Sequence, residues 1–229
     1  MKLPTRTCQV YFARRWNLER RHIAVLDGVE TERRARYRFE ADRDRFTLAA
    51  VLLRAVAGRA SGVDPSAVVI DRTCDWCGKP HGRPALPRTG LQASISHSGD
   101  VAAVAITAAG PVGVDIEFIG TRGFAELLDS VCTQLERESV RTPTDFFTFW
   151  ARKEAVVKAT GEGLNRALTD IVVTPPDSAP ALLSFDGAHQ LQCRMCDVPV
   201  DGYAGAAAVL TADPVSFAVL DAATLLGEL

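Results

Sequence analysis

In PVGVDIEFIG (111–120), Asp115 and Glu117 stand two residues apart between Val112, Val114, Ile116 and Phe118. On a strand, that alternation buries the apolar set and presents both carboxylates on the other face, about 6.5–7 Å apart. Carboxylates this close repel each other. A shared hard cation such as magnesium, which takes its remaining ligands from water and substrate phosphates, relieves that repulsion. In FWARKEAVVKATGEGL (149–164), Trp150, Glu154 and Lys158 recur every fourth residue and share a helix face, adding a third carboxylate and an ammonium group. In SISHSGD (94–100), Ser96 and His97 offer hydroxyl and imidazole donors to phosphate oxygens, and Gly99 lets a ligand approach the backbone. A nucleophilic Ser96–His97 pair is poorly supported, because neighbours on an extended chain point to opposite faces.

Taken singly, each element also has an ordinary reading: a solvated strand face for Asp115 and Glu117, an exposed ion pair for Glu154 and Lys158, core packing for Trp150, and a buried structural imidazole for His97.

These residues need elements to hold them. TERRARYRFEADRDR (31–45) is strongly basic, and the apolar spacing of the following FTLAAVLLRAVAGR predicts a buried helix ending near Gly58, the two forming one amphipathic helical region. The glycines and prolines of 71–92 predict a loop. Val101–Ile106 and Val112–Ile119 read as strands joined by a turn in an antiparallel hairpin, followed by a long helix over 124–140. Thr142, Pro143 and Asp145 form a helix-start signature, and Gly161 a stop. After Pro176, alternating short runs (LLSF, HQLQCRM, YAGAAAVL, VSFAVL) predict several strands.

With 229 residues and 47% apolar content the chain can bury a core as one large domain or two small lobes. A net charge of −2 gives no general reason to expect a nucleic-acid partner, so any anion site is local. No segment reads as a signal peptide or a membrane span, which predicts a cytosolic protein whose six cysteines are thiols. Cys74-x-x-Cys77 and Cys193-x-x-Cys196 each have the pair spacing of a zinc site, with His81 near the first. Their separation in sequence, and a strand around the second pair, argue against one shared site.

The three segments in this order resemble the Sfp-type phosphopantetheinyl transferases, whose active site combines an SHS segment, a G-[IV]-D-x-E strand and a W-x-x-K-E-[AS]-x-x-K helix. Here these are SISHSGD, VGVDIE and FWARKEAVVKATGEGL, with weaker similarity through RFEADRDRFTLAAVLLR and GRP at 82–84.

The resemblance implies an α/β (α+β) fold of two similar lobes with pseudo-twofold symmetry, 1–109 and 110–229, and coenzyme A held between them. It implies an enzyme that transfers the 4′-phosphopantetheine group of coenzyme A to a serine of an apo acyl or peptidyl carrier protein, releasing adenosine 3′,5′-bisphosphate. Asp115, Glu117 and Glu154 would hold Mg²⁺, and Glu154 is the candidate base, directly or through water. Lys158 would stabilise charge on the diphosphate, with Lys153 a less certain participant. Ser96, His97 and Arg83, preferred over Lys79, would contact phosphate. One or two of Arg33, Arg34, Arg36 and Arg45 would meet the 3′-phosphate, the others facing an acidic helix of the carrier. The resemblance further implies a monomer. The alternative is a non-catalytic module of the same fold that binds coenzyme A or the carrier. A nucleotide-triphosphate-dependent phosphotransferase finds no G-x-x-x-x-G-K-[ST] loop to support it.

Overall fold

The computed structural model describes residues 3–74, 77–121, 123–163, 166–187 and 191–229. Leu164, at the end of the third motif, and His189 and Gln190, at the start of one expected strand, lie outside them.

A six-stranded sheet contains β1 (Thr7–Arg14), β2 (Asp71–Thr73), β3 (Pro80–Ala85), β4 (Gln92–Ser98), β5 (Val101–Thr107) and β11 (Ser216–Asp221), in the order β11-β1-β5-β4-β3-β2. A second sheet orders β6 (Val112–Phe118), β10 (Tyr203–Leu210) and β9 (Cys193–Asp197) as β6-β10-β9, and β7 (Ile171–Val173) pairs with β8 (Leu182–Phe185). The helices are α1 (Gly28–Ala35), α2 (Glu40–Ser61), α3 (Phe124–Val131), α4 (Gln134–Arg137), α5 (Pro143–Thr160) and α6 (Ala223–Gly227).

The two halves of the chain repeat one plan. Each opens with a strand, passes through short helices to a long one (α2 or α5), makes a short hairpin (β2–β3 or β7–β8) and closes with two strands. The closing strand lies between the opening and penultimate ones, giving β1-β5-β4 in the first half and β6-β10-β9 in the second. The fold is α/β with two similar lobes. The end of the chain returns to the first lobe: β11 pairs in parallel with β1, and Ala222, Leu225 and Leu226 join the core around α2.

Strand alternation distributes the core into layers. Val104 and Ile106 face α2, while Ala103 and Ala105 of the same strand meet Val112, Val114 and Ile116 of the other sheet. In β10, Ala206 and Ala208 face α5, and Ala207 and Val209 face the first sheet. Burial of both faces of β5 and β10 makes the inter-sheet layer a continuous apolar seam between the lobes. The helix-start signature acts as expected: the Thr142 hydroxyl accepts from Asp145 N, Asp145 reaches back to Thr142 N, and Gly161 caps α5 at φ 80°.

Five expectations need correction. The segments 101–106 and 112–119 do not form a hairpin: β5 pairs with β1 and β4, whereas β6 pairs with β10 in the other sheet. The intervening turn passes at Gly110 so close to β10 that a Cβ there would lie 2.4 Å from Leu210 O. The 71–92 segment is not a loop, because β2 and β3 pair within it. The helix expected over 124–140 breaks after Val131, where Thr133 caps a new turn through a reciprocal capping box with Glu136. The basic region is two helices, parted between Ala35 and Glu40. Finally, α2 runs past Gly58 and stops at left-handed Gly62.

Candidate active site

The carboxylate pair sits on β6 where α5 crosses it. Gly113 permits the crossing: a Cβ at this position would lie 1.9 Å from Ala155 O and 2.6 Å from Ala159 N. With no side chain there, the backbone of α5 lies directly on the strand. The helix thus covers the face carrying Asp115, and that carboxylate is 2% exposed instead of solvated. Val112, Val114 and Ile116 are buried on the opposite face, but Phe118 is 52% exposed and stacks edge-on with Tyr203.

Strand β4 meets the edge of β6 through a serine at every second residue. Ser94 Oγ accepts from Val114 N (3.1 Å), Ser96 Oγ donates to Asp115 Oδ1 (2.8 Å), and Ser98 Oγ donates to Glu117 Oε2 (2.8 Å) while accepting from Phe118 N (3.1 Å). The serines of SISHS stitch the lobes together and fix both carboxylates. This role is invisible in the sequence, because it depends on which sheet edge comes alongside.

Asp115, Glu117, Trp150, Glu154 and Lys158 line one cleft of about 410 Å³ between the lobes. Ser96, His97, Arg33 and Arg72 line it as well, over a floor of Phe46, Ala49 and Ala50 from α2. Lys158 Nζ donates to Asp115 Oδ1 (2.6 Å) and Ser96 Oγ (2.8 Å). Trp150 both shapes the cleft and packs edge-on against Phe146.

The electrostatics reflect crowded negative charge. Burial, then repulsion from Asp115, raises the Glu117 carboxyl to about 7, against the Ser98 hydrogen bond. Burial and Asp115 also raise Glu154, with Lys158 opposing. His97 is exposed and lines the cleft, and desolvation with the nearby Arg45, Lys158 and Arg33 holds its imidazole below the usual histidine range.

Other expected site residues are placed elsewhere. Arg34 turns to Thr47 Oγ1 (3.0 Å) because α1 packs on α2, and Arg45 donates to Gly99 O (2.9 Å) and pairs with Asp42. Neither lines the cleft. Arg36 and Lys79 border a neighbouring pocket of about 630 Å³ that Arg33 shares. Arg83 donates to Ala159 O and Val112 O, tying α5 to β6.

Lys153 is fully buried away from the cleft, bonded to Val131 O (2.7 Å), Glu136 Oε2 (2.5 Å) and Leu168 O (3.1 Å). Arg152, beside it, forks onto Asp197. These two cations position α5.

Arg72 was missed. It projects from β2, in the segment read as a loop, and desolvation lowers its pKa despite the nearby Glu30 and Asp27. Only a strand assignment would have drawn attention to it.

A family model described as the 4′-phosphopantetheinyl transferase superfamily matches residues 111–208. The chain is similar to the Nostoc protein named 4′-phosphopantetheinyl transferase HetI, at 32% identity over 73% of each chain. It is also similar to a Bacillus subtilis 4′-phosphopantetheinyl transferase, at 29% identity over 75% of this chain and 76% of the relative. The chain belongs to the 4′-phosphopantetheinyl transferase superfamily. It is a transferase of phosphopantetheine to carrier proteins with an α/β fold.

Proposed function

We propose that the cleft binds coenzyme A together with Mg²⁺ and moves its 4′-phosphopantetheine group to a serine of an apo acyl or peptidyl carrier protein. One observation carries the reading: a strand and a helix bring three carboxylates and a lysine into one cleft, and that cleft raises the pKa of two of the carboxylates.

The residues suit a hard divalent ion. Asp115 Oδ2 is buried with no hydrogen-bond partner, while Glu117 and Glu154 line the same space with oxygen donors. Asp115, Glu117 and Glu154 would hold the ion, which when bound neutralises charge on the diphosphate.

The protein's own groups do the rest. Arg33 and Arg72 offer guanidinium forks to coenzyme A phosphates. His97 supplies a ring N–H to a phosphate oxygen. Glu154, one helical turn from Lys158, takes the proton from the attacking serine hydroxyl directly or through water. The serine oxygen bonds to the phosphorus bearing pantetheine as the P–O bond to the second phosphate breaks. Lys158 stabilises the departing adenosine 3′,5′-bisphosphate. A purely binding module would have no use for Glu154 and Lys158 together at the reacting centre.

One chain supplies both walls of the cleft, which supports a monomer. A cytosolic location, which the sequence suggests, goes with this reading. Carrier protein incubated with coenzyme A and Mg²⁺ is expected to gain the mass of one phosphopantetheinyl group. No gain on any acyl or peptidyl carrier, under conditions where a known transferase loads them, would overturn the proposal.

A further inference from the structure

Away from the carboxylates, the turn between β2 and β3 gathers a second set of metal-ligand side chains with different chemistry. Cys74, Cys77 and His81 each bring one ligand atom within 4.8 Å of the other two, and Cys77 Sγ lies 2.9 Å from His81 Nε2. Among the described residues this is the one group of three histidine, cysteine or acidic side chains found so close together.

The backbone is arranged to converge them. Gly78, directly after Cys77, is left-handed at φ 69°, and its N–H returns to Cys74 O (2.8 Å), while Cys74 N donates to Lys79 O (2.9 Å). Gly82 lets β3 lie against β2, since a Cβ there would be 2.7 Å from Thr73 O. This approach brings His81 over the cysteine pair.

The other cysteines behave differently. Cys193 and Cys196 sit on β9 and pack into opposite layers of the core, and Cys8 and Cys132 are fully buried. Those four fill apolar space; Cys77 is exposed and Cys74 half-buried.

We propose that Cys74, Cys77 and His81 bind one zinc ion, with water in the fourth position. Two thiolates and an imidazole are soft-to-borderline donors that favour Zn²⁺ over the Mg²⁺ suited to the carboxylate cleft. Bonds of about 2.3 Å to sulfur and about 2.0 Å to nitrogen set tetrahedral ligands about 3.5 Å apart, a spacing this turn reaches with small adjustment. The ion closes the turn of the hairpin whose strand β2 carries Arg72 to the cleft two residues before Cys74, so it serves to hold β2 and β3 in place. Binding releases the thiol protons and is weakened by acid.

Metal analysis of the purified full chain, after dialysis against buffer without chelator, tests the assignment. About one zinc per chain is expected. It should be lost in Cys74→Ser/Cys77→Ser and in His81→Ala, and retained in Cys193→Ser/Cys196→Ser. In the wild-type protein, cobalt exchanged for zinc should give thiolate charge-transfer absorption and the strong visible bands of a tetrahedral ion; this measurement needs no variant to fold. Removing zinc should speed amide exchange across residues 71–85 and leave α5 unchanged. The proposal is overturned by a metal-free protein carrying a Cys74–Cys77 disulfide, by metal-free thiols, by weak octahedral cobalt bands, or by zinc that survives the double cysteine substitution. None of these readouts depends on transferase activity.

Discussion

Replacing Glu117 with glutamine should stabilise the metal-free protein while disabling the enzyme. Burial and Asp115 raise this carboxyl from 4.5 to about 7, so the folded chain binds a proton there more tightly than the unfolded chain does. Stability from this group is therefore fully present below about pH 4.5 and is lost as pH rises through about 7. At 1.36 kcal/mol per pKa unit the loss would approach about 3 kcal/mol, and water reaching the half-buried side chain reduces it to about 1–2 kcal/mol. Glutamine keeps an oxygen to accept from Ser98 Oγ and carries no charge to lose. In a chain of this size, each kcal/mol moves the melting temperature by about 2–4 °C, so the variant should melt about 3–6 °C higher at pH 8 in EDTA. At pH 4.5 the gain should vanish. Added Mg²⁺ should raise the wild-type melting temperature at pH 8 and leave the variant nearly unmoved. Thermal scans at the two pH values, with and without Mg²⁺, provide the check. A variant less stable than wild type at pH 8 in chelator, or stabilised equally at both pH values, would refute the electrostatic account.

Gly113→Ala should push α5 off β6 and cost about 2–3 kcal/mol, read as a lower denaturation midpoint; an unchanged midpoint would contradict the close crossing. Lys153→Ala leaves Glu136 without its charge partner inside the protein and should cost about 3–5 kcal/mol, with kcat/KM of the folded fraction near wild type. Lys158→Gln should instead lower kcat about 100-fold; the reverse pattern for the two lysines would exchange their roles. Arg33→Ala and Arg72→Ala should each raise KM for coenzyme A about tenfold with kcat little changed, measured by steady-state carrier loading. Without bound Mg²⁺ the Glu117 carboxyl takes up a proton below about 7 and Glu154 is also raised, so acid should increase the Mg²⁺ concentration needed for carrier loading; a requirement unchanged from pH 5 to 8 would count against carboxylates as ligands.

Local signals determined a definite share of this protein. The Thr142–Pro143–Asp145 start and the Gly161 stop are decided by backbone capping within a few residues, so α5 was legible from the chain alone. So was the alternation that puts Asp115 and Glu117 on one face of β6, and the helical spacing that aligns Trp150, Glu154 and Lys158, because strand and helix periods are properties of the backbone. Which sheet a strand joins is not such a property. Val101–Thr107 and Val112–Phe118 look like a hairpin in sequence, but β1 and β10 compete for their edges, and the apolar area gained by stacking two sheets decides the outcome. Likewise Lys153 and Lys158, five residues apart on one helix, are both cations the sequence could offer to a phosphate, with Lys158 preferred. Packing sends the first into a buried bond with Glu136 and leaves the second in the cleft. Ser96 bonds to Asp115 across a strand-to-strand seam, Arg72 reaches the cleft from a hairpin that glycines and prolines disguised, and His81 comes over Cys77 only when β3 folds back on β2. Each of these depends on contacts between segments far apart in the chain, made only when the sheets and helices pack.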